Sequence, residues 1–177
     1  MENFQIPQKE QLSEANQNIF NQLEKGVGFV PNLYATFAHS ENGLATYLAL
    51  QNAKSSLKAK EKEVVNLIVS QYNNCLYCLS AHTAIAKLNG FDDDQILEIR
   101  KAKISFDSKL NSLGQLVYEA VSNKGEISEE TKNQFFNEGY TEGHLVDVII
   151  AIGDKTITNY LFAATKIPVD WPLAQEL

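Results

Sequence analysis

The two cysteines of this 177-residue chain, Cys75 and Cys78, stand three positions apart, with His82 four residues further on and Glu63 twelve residues before the pair. On a helix, steps of three and four return to one face, so the two thiols and the imidazole converge. A helix start carries partial positive charge and unpaired N–H groups, which favour thiolate over thiol, and Cys75, nearest the end, gains most. A neutral imidazole can accept a thiol proton, and Glu63 can orient that imidazole. Such a set suits attack of a thiolate on peroxide oxygen. The sulfenic acid formed condenses with the neighbouring thiol to a disulfide, which an external dithiol must reduce.

Apolar residues recur at spacings of three and four, which predicts an all-α fold of amphipathic helices around a shared core. Helices are expected over 13–25, from Pro31 to Ala38, over 41–57 after an N-cap at Ser40, and over 59–72 with Val64, Val65, Leu67, Ile68 and Val69 on a wide apolar face. Asn73-Asn74 then interrupts, and a helix from Cys75 to Leu88 ends at Asn89-Gly90. Further helices are expected over 92–101, 107–122, from Ser128, and over about 141–164, which makes seven to nine in one domain spanning 1–177. A redox core occupies about 59–90, and an extended tail follows from about 166 to 177, where Trp171 anchors by burial. If the helices flanking Asn73-Asn74 fold back antiparallel, Glu63 comes level with about residue 84, within one turn of His82.

Fifteen Lys and Arg against 22 Asp and Glu give a net charge of -7, the wrong sign for neutralising a phosphate backbone, so nucleic acid and anionic membrane are not expected partners. Residues 1–10 lack a basic run followed by an apolar stretch, and no segment approaches roughly 20 consecutive apolar residues, so a cytoplasmic protein off the membrane is expected. In that reducing compartment a close cysteine pair points to redox chemistry or metal binding. Zinc held by Cys75, Cys78, His82 and Glu63 is the metal alternative, and plain core packing the structural one. The spacing favours the redox reading, and neither metal nor cofactor is expected. His39 and His144 read as helix-end and helix-start residues, and Asp92-Asp93-Asp94 as a cap with a solvated first turn. Tyr34, Phe37, Tyr72 and Tyr77 are candidates for an apolar entrance.

The stretch VVNLIVSQYNNCLYCLSAHTAIAKLNG, with Glu63 eleven residues clear of Cys75, resembles the core motif of the AhpD-like alkylhydroperoxidase branch of the carboxymuconolactone decarboxylase family. GFVPNLYATFAHS before it and TNYLFAATKIPVDWP after it extend the similarity to the small peroxidase-related members. The resemblance implies an all-helical bundle, a homo-oligomer of three or six chains, and reduction of organic hydroperoxides. It implies Cys78 as the peroxide-attacking thiol, Cys75 as the resolving thiol, and Glu63 with His82 as the proton relay. The helix-dipole reading instead favours Cys75 as the more acidic sulfur, and both assignments stand at this point. Tyr77 occupies a position where the best-known members carry a relay histidine. A lipoyl protein or a thioredoxin-like protein is the implied reductant. The competing functions are decarboxylation of a γ-lactone and a noncatalytic redox-sensing module.

Overall fold

A computed structural model describes residues 4–177 and contains, among those residues, nine α-helices, a short 3-10 helix at Lys9–Gln11 and no strand. The helices are α1 Glu14–Val27, α2 Asn32–Phe37, α3 Gly43–Gln51, α4 Ala59–Tyr72, α5 Leu76–Leu88, α6 Asp93–Arg100, α7 Ser108–Ser122, α8 Glu129–Asn137 and α9 Glu142–Thr165. The all-α expectation and its helix number hold. No described helix is long and apolar enough to cross a membrane.

The chain's contacts form two compact units, one of residues 1–53 with 160–170 and one of residues 54–159 with 171–177. In the first, Phe20 of α1, Ala35 and Ala38 at α2, and Leu44 of α3 form a small core flanked by Ile19, Tyr34, Phe37 and Leu48. Pro31 has no N–H and no capping side chain, and Asp170 supplies the cap of α2 instead, its Oδ2 accepting the Asn32 N–H at 2.7 Å. Tyr34 and Phe37, candidates for an entrance, pack against Tyr47 here, with the Phe37 and Tyr47 rings stacked 4.4 Å apart.

In the second unit α4 is central and packs on α5, α6 and α7. Val64, Val65, Leu67, Ile68 and Val69 are all buried, joined by Ile96 and Ile99 of α6, Leu113, Leu116 and Val117 of α7, and Phe135 of α8. Close passage of α7 over this face requires Gly114, where a Cβ would lie 3.2 Å from Ile104 and 3.3 Å from Ile68.

Two expectations are corrected. The helix expected over 41–57 runs only from Gly43 to Gln51, because the Asn52 side chain turns back to the Leu48 carbonyl. Ser56 is then drawn away by Asp147, whose Oδ2 accepts both its N–H and its hydroxyl at 2.6 Å. In the tail Trp171 is only half-buried, and the buried residues of that segment are Ile167 and Ala174, the latter donating its N–H to Ser80 Oγ of α5.

Candidate active site

The turn that sets the site follows from two asparagines. Asn73 caps α4, Asn74 takes the left-handed conformation (φ 52°) that Asn tolerates better than most side chains, and the Cys75 N–H then bonds to the Ser70 carbonyl at 2.9 Å. Cys75 is consequently the N-cap of α5 rather than its first helical residue, and its sulfur accepts the Cys78 N–H at 3.3 Å. Both cysteines are free thiols and both are 2% exposed.

Glu63 of α4 and His82 of α5 are buried, with Oε2 and Nδ1 2.9 Å apart. Burial pushes the Glu63 carboxyl up, but attraction and a hydrogen bond from His82, a hydrogen bond from Asn66 and the charge of Lys155 together pull it below its ordinary value. The carboxylate therefore accepts, and His82 donates from Nδ1. Asn66 Nδ2 holds the other carboxylate oxygen at 3.1 Å.

The two thiols are driven apart. Cys78 is lowered to about 6: a hydrogen bond from the Cys75 thiol contributes most, burial opposes it, and Lys155, His82 and Asn159 add to the lowering. The same Cys75–Cys78 hydrogen bond, with burial, raises Cys75 well above the ordinary thiol range. The helix-dipole reading favours Cys75, and the side chains around Cys78 act in the opposite sense. The N-cap role uses the Cys75 sulfur as acceptor of the Cys78 N–H, while the Cys75 thiol, Lys155, His82 and Asn159 favour negative charge one turn further in, on Cys78.

Lys155 and Asn159, one turn apart on α9, are absent from the sequence-based candidates. They are 2% and 1% exposed. Asn159 accepts from Asn73 Nδ2 at 2.9 Å and donates to Ser70 Oγ at 3.3 Å, which ties α9 to the turn that presents the cysteines. Lys155, Thr158 and Asn159, at spacings of three and four, are buried polar residues on one side of α9, and with Asp147, Asp154 and Thr156 also polar in that helix no sequence signal set them apart. Tyr77, also named as an entrance candidate, is fully packed, and Tyr72 is exposed. Among the described residues no group of three or more His, Cys, Asp or Glu side chains is arranged to hold a metal ion.

Residues 33–107 match the carboxymuconolactone decarboxylase family. That segment contains Glu63, both cysteines and His82, in keeping with the resemblance read from the motif. No curated protein sequence matches the chain. Among solved structures, a peroxidase-related protein from Ralstonia eutropha JMP134, described as an alkylhydroperoxidase AhpD core, superposes with a TM-score of 0.86 at 18% identity, over 94% of this chain and 91% of that one. A peroxidase-related protein from Silicibacter sp. TM1040 gives 0.82 at 22% identity, over 93% and 88%. The debrominase Bmp8 in complex with 2,3,4-tribromopyrrole gives 0.76 at 16% identity, over 94% and 91%. These likenesses establish an AhpD-like helical fold for nearly the whole chain.

Proposed function

We propose that this protein is a thiol-dependent peroxidase that reduces organic hydroperoxides through a Cys75–Cys78 disulfide cycle. The observation that carries the reading is geometric: two free, buried thiols meet at the start of α5, which also bears the His82 partner of Glu63, with Cys78 favoured as thiolate and Cys75 as thiol. Near neutral pH the first is a nucleophile and the second a proton-bearing partner, which is what two successive displacements at sulfur need.

In the first step the Cys78 thiolate attacks the terminal peroxide oxygen, the O–O bond breaks, and the departing alkoxide takes a proton and leaves as an alcohol. Cys78 becomes a sulfenic acid. In the second, the Cys75 sulfur attacks Cys78 and water leaves, forming the disulfide. The hydrogen-bonded pair Glu63–His82, 2.9 Å apart, receives the Cys75 proton and returns one to the departing oxygen. An external dithiol, of a lipoyl protein or a thioredoxin-like protein, then takes the disulfide's place in the oxidised state and restores both thiols.

The cycle is tested by hydroperoxide consumption in the presence of a dithiol. Turnover is expected for the native chain and abolished in Cys75→Ser and Cys78→Ser, and full turnover by both variants overturns the assignment. In the same assay, release of bromide from a bromopyrrole or consumption of a γ-lactone without hydroperoxide turnover redirects the reading to those chemistries. We propose further that the chain acts in the cytoplasm as a homo-oligomer of three or six copies. Supporting this, Val146, Ile149, Ile150, Ile157 and Tyr160 expose a run of apolar side chains along α9.

A further inference from the structure

The buried charges of the site do not balance with the four residues the motif supplies. Glu63 is held as a carboxylate by His82 and Asn66, and the proposed cycle needs Cys78 as a thiolate, while the His82 ring carries at most one positive charge and Cys75 enters as a thiol. Two anions and one cation withdrawn from water leave a net negative charge, which a low-dielectric interior penalises by several kcal/mol per unpaired ion. Lys155 enters from α9 with its side chain almost wholly withdrawn from solvent, an arrangement rare for lysine unless the ammonium is paired. Its position is not loose. Asn159, one turn on and on the same face, is bonded to both Ser70 and Asn73, so the α9 backbone that carries Lys155 is fixed against the end of α4 and the turn before α5.

We propose that Lys155 is the second cation of the thiol site, a positioning residue that balances the Glu63 carboxylate and the Cys78 thiolate, with Asn159 as the anchor that holds α9 in register. The charged groups facing one another are then Glu63 from α4, Cys75, Cys78 and His82 from α5, and Lys155 from α9. The lysine charge favours ionisation of both Glu63 and Cys78. It accounts for how a chain with Tyr77 between its cysteines holds a thiolate there. With Lys155 removed, the site sheds its excess charge by keeping the Cys78 proton.

The inference rests on the peroxidase reading for its purpose but is tested without peroxide. The reduced full-length chain is titrated by thiolate absorbance in the ultraviolet, alongside Lys155→Met, Lys155→Gln and Lys155→Arg. The native midpoint is expected near 6. Lys155→Met is expected to move it up by about one to three pH units, the range found on removing a close opposite charge, and Lys155→Arg to restore it to within about half a unit. Lys155→Gln keeps a polar chain of similar length without the charge and is expected to match the Met variant, so the result stands if the apolar variant fails to fold. An unchanged midpoint in the folded uncharged variant, or an Arg variant displaced as far as the uncharged ones, overturns the proposal. A displaced midpoint in a chain that consumes no hydroperoxide defeats the peroxidase reading alone.

Discussion

The chemistry is set by which of two neighbouring sulfurs gives up its proton, and the helix dipole is not what decides it. Cys75 caps α5 by accepting the Cys78 N–H, yet Cys78 is the sulfur whose ionisation its surroundings favour, since the Cys75 thiol, Lys155, His82 and Asn159 all act on it. The consequence for stability has a definite sign. A thiol lowered in the folded state to about 6, against roughly 8.5 in an unfolded chain, contributes stabilisation that is complete above the unfolded value and lost as pH falls through the folded one. The reduced protein is therefore expected to gain thermal stability between pH 6 and about 8.5, and Cys78→Ser to lose most of that gain. Melting temperatures across this window check it, and parallel profiles for the two proteins contradict it. The Cys-x-x-Cys-x3-His spacing was legible because chemistry of this kind is local in sequence. Lys155 was not legible, since a lysine in a long helix reads as solvent-facing until the buried side of that helix is known.

Among the elements, α4 is matched end to end by its sequence pattern, because Val64, Val65, Leu67, Ile68 and Val69 leave no doubt about either phase or burial. The segment after it was readable for a different reason, the left-handed tolerance of Asn74. The residues of α3 gave no such guidance. Its Ala and Leu residues surround the helix without a distinct apolar side, and what ends it early is the Asn52 side chain turning back to the Leu48 carbonyl. In α9 the usual pattern is reversed, with Lys155, Thr158 and Asn159 buried while Val146, Ile150 and Ile157 are exposed, and periodicity cannot say which side faces inward. The contact of α7 with α4 supplies a test at this scale. Gly114→Val adds a branched side chain where even one Cβ is crowded by Ile68 and Ile104, and is expected to lower stability by about 1–3 kcal/mol. Chemical denaturation measures it, and a variant as stable as the native chain would show that the two helices have room to separate.

For the whole molecule, a net charge of -7 and an apolar run along the exposed side of α9 point in different directions, the first towards repulsion between copies and the second towards association. We expect association to win. Light scattering should return three or six times the 19.8 kDa chain mass, and Ile150→Glu combined with Ile157→Glu should shift the population to smaller species. A native chain that stays monomeric at micromolar concentration contradicts it. The fold class was readable from the recurrence of apolar residues, whereas the division of contacts into two units depends on where α9 and the tail return, which no local pattern records. The most direct measurement of the central claim is the intact mass of the reduced full-length protein after one equivalent of an organic hydroperoxide, followed by peptide mapping. The account predicts loss of two hydrogens per chain, a single Cys75–Cys78 linkage, recovery of both thiols with a dithiol, and a trapped sulfenic acid on Cys78 in Cys75→Ser. Two intact thiols after excess hydroperoxide, or a sulfenic acid found on Cys75 instead, would contradict it.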